Sequence, residues 1–148
     1  MNLGEKGDFE SKSAIKNVII QIDDYKINGY TKNKNGGEYM PNKIKDLLEL
    51  YKEEIDKLGR EHLVKIILYG SYARGDFRQD SDIDIMILVN DLDDSLVEYE
   101  NKVDDLTYDF NCKYGTEIMP IVKNIDQFEY WKNAYMFYKN VDQEGVIL

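Results

Sequence analysis

One cysteine, Cys112, and one histidine, His62, stand among 148 residues. A lone thiol excludes an intrachain disulfide and fits a reducing compartment. A lone imidazole excludes a histidine-rich zinc site, and His62, on a polar stretch before an apolar run, reads as a surface residue. No apolar run approaches the ~18 residues of a membrane span. The opening residues, MNLGEKGDFESK, lack the apolar core of a signal peptide, so a cytoplasmic protein is expected. Positive charge is also short, with 19 Lys and Arg against 29 acids and a net charge of −10. That balance argues against direct nucleic-acid binding in a basic groove, and it suits a basic partner protein instead. Repeats and low-complexity tracts are missing, and the length supports one domain with a real core rather than two.

What is present divides into a front and a body. Residues 13–25 (SAIKNVIIQIDDY) carry Ile15, Val18, Ile19, Ile22 and Tyr25 at helical spacing, although Val18-Ile19-Ile20 also fits a strand. Residues 29–41 (GYTKNKNGGEYMP) are polar and glycine-containing, as in a linker. Residues 1–41 are therefore expected to be an N-terminal extension, helical or partly disordered, that caps the core or mediates dimer contacts. Residues 42–148 form the expected domain. Its first helix spans residues 43–58, with Ile44, Leu47, Leu48, Tyr51, Ile55 and Leu58 on one face, and ends at Gly59. A second long helix is expected over residues 92–114, its acids crowding the first turns as the helix dipole favours. Asn124, with Gln127 at the capping-box position, starts another over residues 125–138. Residues 145–148 (GVIL) suit a short packed strand or an edge segment.

The chemistry concentrates in LYGSYARGDFRQDSDIDIMILV, residues 68–89. Residues 64–69 (VKIILY) are an apolar, β-branched run that reads as a buried strand. Gly70 lets the backbone turn tightly and approach a ligand. Ser71 follows, and Tyr72-Ala73-Arg74 make a helical turn or two before Gly75 stops them. Free N–H groups at such a helix start favour anions, with the Ser71 hydroxyl as an extra donor. Downstream, Asp82 and Asp84 alternate with Ile83 and Ile85, so both acids share one face of a strand. Two neighbouring carboxylates on a buried strand repel each other and lose hydration; a divalent cation relieves both problems. Mg²⁺ is typically held by one or two carboxylates plus substrate phosphates.

Gly70-Ser71, ten intervening residues, and Asp82-Ile83-Asp84 resemble the signature of the polymerase-beta-like nucleotidyltransferase superfamily. The fuller pattern GSYARG…SDIDI is similar to the minimal nucleotidyltransferase branch, many of whose members are antitoxins that transfer AMP from ATP to a tyrosine of a HEPN-domain RNase toxin. The resemblance implies an α+β fold, a small mixed β-sheet with helices packed on one face, built as a palm-like nucleotidyltransferase core. It implies that Gly70 and Ser71 hold the triphosphate and that Asp82 and Asp84 hold two Mg²⁺ ions. It further implies a third acid on a later strand, as metal ligand and base for the acceptor hydroxyl. Residues 116–122 (TEIMPIV) are that strand and Glu117 is their acid, where the family more often carries aspartate.

Arg74 belongs to the family motif, and a guanidinium pairs well with phosphate oxygens; an ion pair with Asp76 or Asp80 fits equally. Tyr130 or Tyr135 would stack on adenine if its face borders the site. Ser71 is not a nucleophile, since it lacks a G-x-S-x-G turn, and Gly36-Gly37 lacks the Lys-Ser/Thr of a P-loop. The leading expectation is a nucleotidyltransferase that moves AMP from Mg-ATP to a toxin tyrosine, alone or as a homo-oligomer. Adenylylation of a small molecule such as an aminoglycoside, and a non-catalytic partner-binding module with a vestigial site, are the alternatives.

Overall fold

The computed structural model describes residues 40–90 and 96–148. The expected N-terminal extension lies, apart from Met40 and Pro41, outside the described residues, as do Asp91, Asp93 and Asp94. In order, the elements are α1 (Asn42–Gly59), β1 (Leu63–Tyr69), α2 (Gly70–Arg74), β2 (Ile83–Val89), α3 (Leu96–Tyr114), β3 (Ile118–Asn124), α4 (Ile125–Trp131), α5 (Met136–Glu144) and β4 (Val146–Ile147). The four strands form one mixed sheet in the order β3-β2-β1-β4. β1 runs antiparallel to both β2 and β4, while β2 and β3 are parallel. The α+β class and the mixed sheet are as the sequence implied.

The larger core lies on the face to which Ile66, Leu68, Ile83, Ile85, Ile87, Val89, Ile118 and Val122 point. α1 covers it with Leu47, Leu48, Tyr51 and Ile55, the helical stripe visible in the sequence. α3 adds Tyr99, Val103 and Phe110. Burying a phenol among these side chains requires a partner for its hydroxyl. Tyr51 Oη meets Thr107 Oγ1 at 2.7 Å, and Thr107 in turn donates to the Val103 carbonyl at 2.6 Å. Burial pushes the Tyr51 phenol up to about 12.

The expectation of helices on one face needs correction. β-Strand side chains alternate between faces, and the opposite set, Ile67, Met86 and Leu88, packs against Phe128 of α4 and Val141 of α5. Nor is the segment after Asn124 one helix over residues 125–138. Asn124 caps α4 as expected, its Oδ1 accepting from Asp126 N at 2.8 Å. A turn at residues 132–135 then separates α4 from α5, closed by Tyr135 N donating to the Trp131 carbonyl at 2.8 Å. The 20 residues from Ile125 to Glu144 would run ~30 Å as one helix, overshooting a sheet whose four strands lie roughly 5 Å apart. Folding the helix in two lets both Phe128 and Val141 bury on that sheet.

Candidate active site

β1 delivers the chain to a sharp bend. Tyr69 is still extended, at φ −133° and ψ −171°, but Gly70 takes φ +71°, a conformation that disfavours any side chain. α2 lasts five residues and closes on Gly75, whose left-handed conformation at φ +79° lets its N–H bond the Ser71 carbonyl at 2.9 Å. The connection to β2 is tied down rather than loose. Phe77 stacks on buried Tyr72 with ring centroids 4.6 Å apart, and Arg78 N donates to Ser81 Oγ at 2.8 Å.

Asp84 is the second residue of β2 and pairs in register with Tyr69 of β1. Its half-buried carboxylate reaches the Gly70 Cα so closely that a Cβ there would collide with Oδ2. Gly70 and Asp84 are therefore parts of one site, although thirteen residues separate them in the chain. Asp82 is exposed at the entrance of the strand and is near enough for its charge to act on Asp84. The Asp84 carboxyl is held above the usual carboxylate range, first by burial and then by the Asp82 charge; Arg74 pulls it part of the way back.

Arg74, at the end of α2, is anchored twice. Its Nε lies 3.2 Å from Asp76 Oδ2 and its Nη1 lies 3.7 Å from Glu144 Oε2 at the end of α5. The Asp76 pairing was one of two readings open from sequence. Glu144 was not foreseen, since a contact across 70 residues leaves no local signal.

Glu117 sits one residue before β3, exposed, and its carbonyl accepts the Ile83 N–H at 2.9 Å. The strand start is fixed by Asn111 of α3, whose side-chain oxygen accepts from Ile118 N at 2.9 Å and whose amide donates to the Ile118 carbonyl at 3.0 Å. Thus the Glu117 backbone abuts the strand that carries Asp82 and Asp84. Among the described residues, no three acidic, histidine or cysteine side chains gather as a metal-binding group, so the three carboxylates are not convergent.

The donor chemistry fits a hard divalent cation. Asp82 and Asp84 carry like charge close enough to act on each other, burial penalises the charge of Asp84, and the missing side chain of Gly70 leaves room for the Asp84 carboxylate. A model of the nucleotidyltransferase domain matches residues 44–140. The chain belongs to the nucleotidyltransferase domain family. A Methanocaldococcus jannaschii protein named as a candidate protein adenylyltransferase is 44% identical over 89 residues, covering 60% of this chain and 81% of that one. A second such protein of the same organism is 32% identical over 79 residues, covering 53% of this chain and 78% of its own length. A solved structure described as a candidate minimal nucleotidyltransferase is 19% identical, with a TM-score of 0.45 over 71% of this chain and 95% of that one. In this nucleotidyltransferase, the GSYAR turn and the DID strand lie inside the matched span.

Proposed function

We propose that the protein transfers AMP from Mg-ATP to a hydroxyl acceptor, and that the acceptor is a tyrosine of a partner HEPN toxin, making this chain the antitoxin of a cytoplasmic pair. The observation that carries the chemistry is the Asp84 carboxylate lodged against Gly70, with Asp82 beside it. The protein acceptor is supported by the Methanocaldococcus jannaschii relatives, both named for protein adenylylation. The toxin tyrosine rests on the family resemblance of the GSYARG…SDIDI pattern.

In this reading Gly70 and Ser71 receive the triphosphate and Arg74 contacts its oxygens. Asp82 and Asp84 are the metal ligands, with Glu117 as the third. Bound there, two Mg²⁺ ions would neutralise phosphate charge and orient the leaving group. The acceptor oxygen forms a bond to the α-phosphorus as the bond between that phosphorus and the α–β bridging oxygen breaks. Pyrophosphate leaves with the bonding pair, and Glu117 takes the hydroxyl proton. Few side chains are needed because such catalysis is mainly positioning and charge neutralisation.

A second reading, a partner-binding module with a vestigial site, is favoured by one observation: Glu117 does not converge with Asp82 and Asp84. Incubation with α-labelled ATP, Mg²⁺ and the partner toxin separates the two. Label on the toxin that disappears in an Asp82→Asn, Asp84→Asn variant is expected. Suppression of toxicity with no label on any protein would establish the binding module instead.

A further inference from the structure

We infer that the ring of Phe137, set edge to face with Tyr69, is the stacking subsite for the base of the bound nucleoside triphosphate; this rests on the nucleotide site proposed above. Two observations place the ring beside that site. Tyr69 and Asp84 are register partners across β1 and β2, so their side chains stand next to each other on one face of the sheet. The Phe137 ring then meets Tyr69 at 5.7 Å and 85°. Starting from the carboxylate, one strand spacing and one ring contact reach Phe137, about the extent of a ribose and its base.

The ring is also held in place and open. Tyr138 contacts it at 5.1 Å and 74°, yet Phe137 remains 44% exposed. An aromatic side chain fixed from two sides loses little entropy when a ligand stacks on it. Tyr130 and Tyr135, the rings singled out by sequence, are more exposed, at 75% and 57%. Tyr135 leans on Trp131 rather than Tyr69, so it has no such connection to Asp84. A phenyl ring carries no hydrogen-bonding group to read a base edge. The subsite should therefore take any purine, with little distinction between ATP and GTP.

Calorimetry of Mg-ATP and Mg-tripolyphosphate on the full chain tests this, because only the first ligand has a base. Phe137→Ala and Phe137→Leu should each raise the Kd of Mg-ATP about tenfold and leave Mg-tripolyphosphate unchanged. Phe137→Tyr, which keeps the ring, should bind both as wild type does. Phe137→Leu keeps apolar bulk, so it decides the matter if the alanine variant fails to fold. Equal losses for both ligands, no loss for Mg-ATP, or a wild type that binds Mg-ATP no better than Mg-tripolyphosphate would each overturn the stacking subsite. Failure of the underlying nucleotide site looks different: an Asp82→Asn, Asp84→Asn variant would then bind both ligands as tightly as wild type.

Discussion

The carboxylate of Asp84 occupies the space that a side chain on residue 70 would need. Gly70 is thus required twice, once for its φ of +71° and once for its missing Cβ. Gly70→Ala must either swing Asp84 away or open the bend between β1 and α2. The variant should lose about 1–3 kcal/mol of stability, as strained left-handed alanines do, and at least ~100-fold in AMP transfer as the acid leaves its position. Denaturant unfolding and a labelled-ATP assay measure the two effects. Full activity in this variant would separate the bend from the chemistry.

Asp84→Asn should abolish transfer and yet stabilise the fold. The Asp84 carboxyl is raised above its unfolded value of 3.8 by burial and by Asp82. Between that value and its folded one, the native state binds more protons than the unfolded chain, so stability falls as pH rises through the window and stays lowered above it. Asparagine carries no charge to desolvate. The variant should therefore unfold at a slightly higher temperature than wild type at pH 7, the effect being kept small by solvent screening, and the gap should close as pH falls below 4. Thermal melts across this range in metal-free buffer test it.

Much of this site was legible because its determinants are local. The bend is announced by Gly70, the strand that carries Asp84 by the apolar run after it, and the α1 face by a helical repeat from Leu47 to Ile55. Three features left no such trace. The clamp of Asn111 on both sides of Ile118 joins a helix end to a strand start through one amide, and a single asparagine has no pattern. The Glu144 contact to Arg74 depends on where α5 lands. That landing depends in turn on the break after Trp131, where continuous helical spacing of aromatic residues gave way to the width of the sheet. Packing on the second face by Phe128 and Val141 followed from the same break.

Tyr51 provides a control remote from the acids. Its phenol is raised from 10.0 to about 12 by burial. A raised phenol leaves stability intact below pH 10 and erodes it as pH climbs from 10 towards 12. Tyr51→Phe should remove part of that alkaline loss. At pH 7 it should cost about 1 kcal/mol, the net worth of the hydrogen bond to Thr107, with transfer rates unchanged. Tyr69, also raised to about 12 by burial and by Asp84, accounts for part of the alkaline loss that remains. Unfolding curves of both proteins between pH 7 and 12 are the measurement.

Glu117 is where catalysis and mere binding diverge. Its backbone is bonded to Ile83 and the next residue is clamped by Asn111, so the residue cannot drift from the Asp82–Asp84 strand. Its side chain, by contrast, is exposed. Ordering an exposed glutamate costs on the order of 1–2 kcal/mol, and attraction to a bound cation offsets that easily. If Glu117 is the base proposed above, Glu117→Gln should lower kcat by ~100-fold or more, as loss of a general base does, while Mg-ATP affinity falls much less. Glu117→Asp should recover part of the rate, since the charge stays but the reach shortens by one methylene. Single-turnover rates set against calorimetric Kd values separate the two quantities. Unchanged kcat in the glutamine variant would remove Glu117 from the reaction and require a base from the acceptor's own protein.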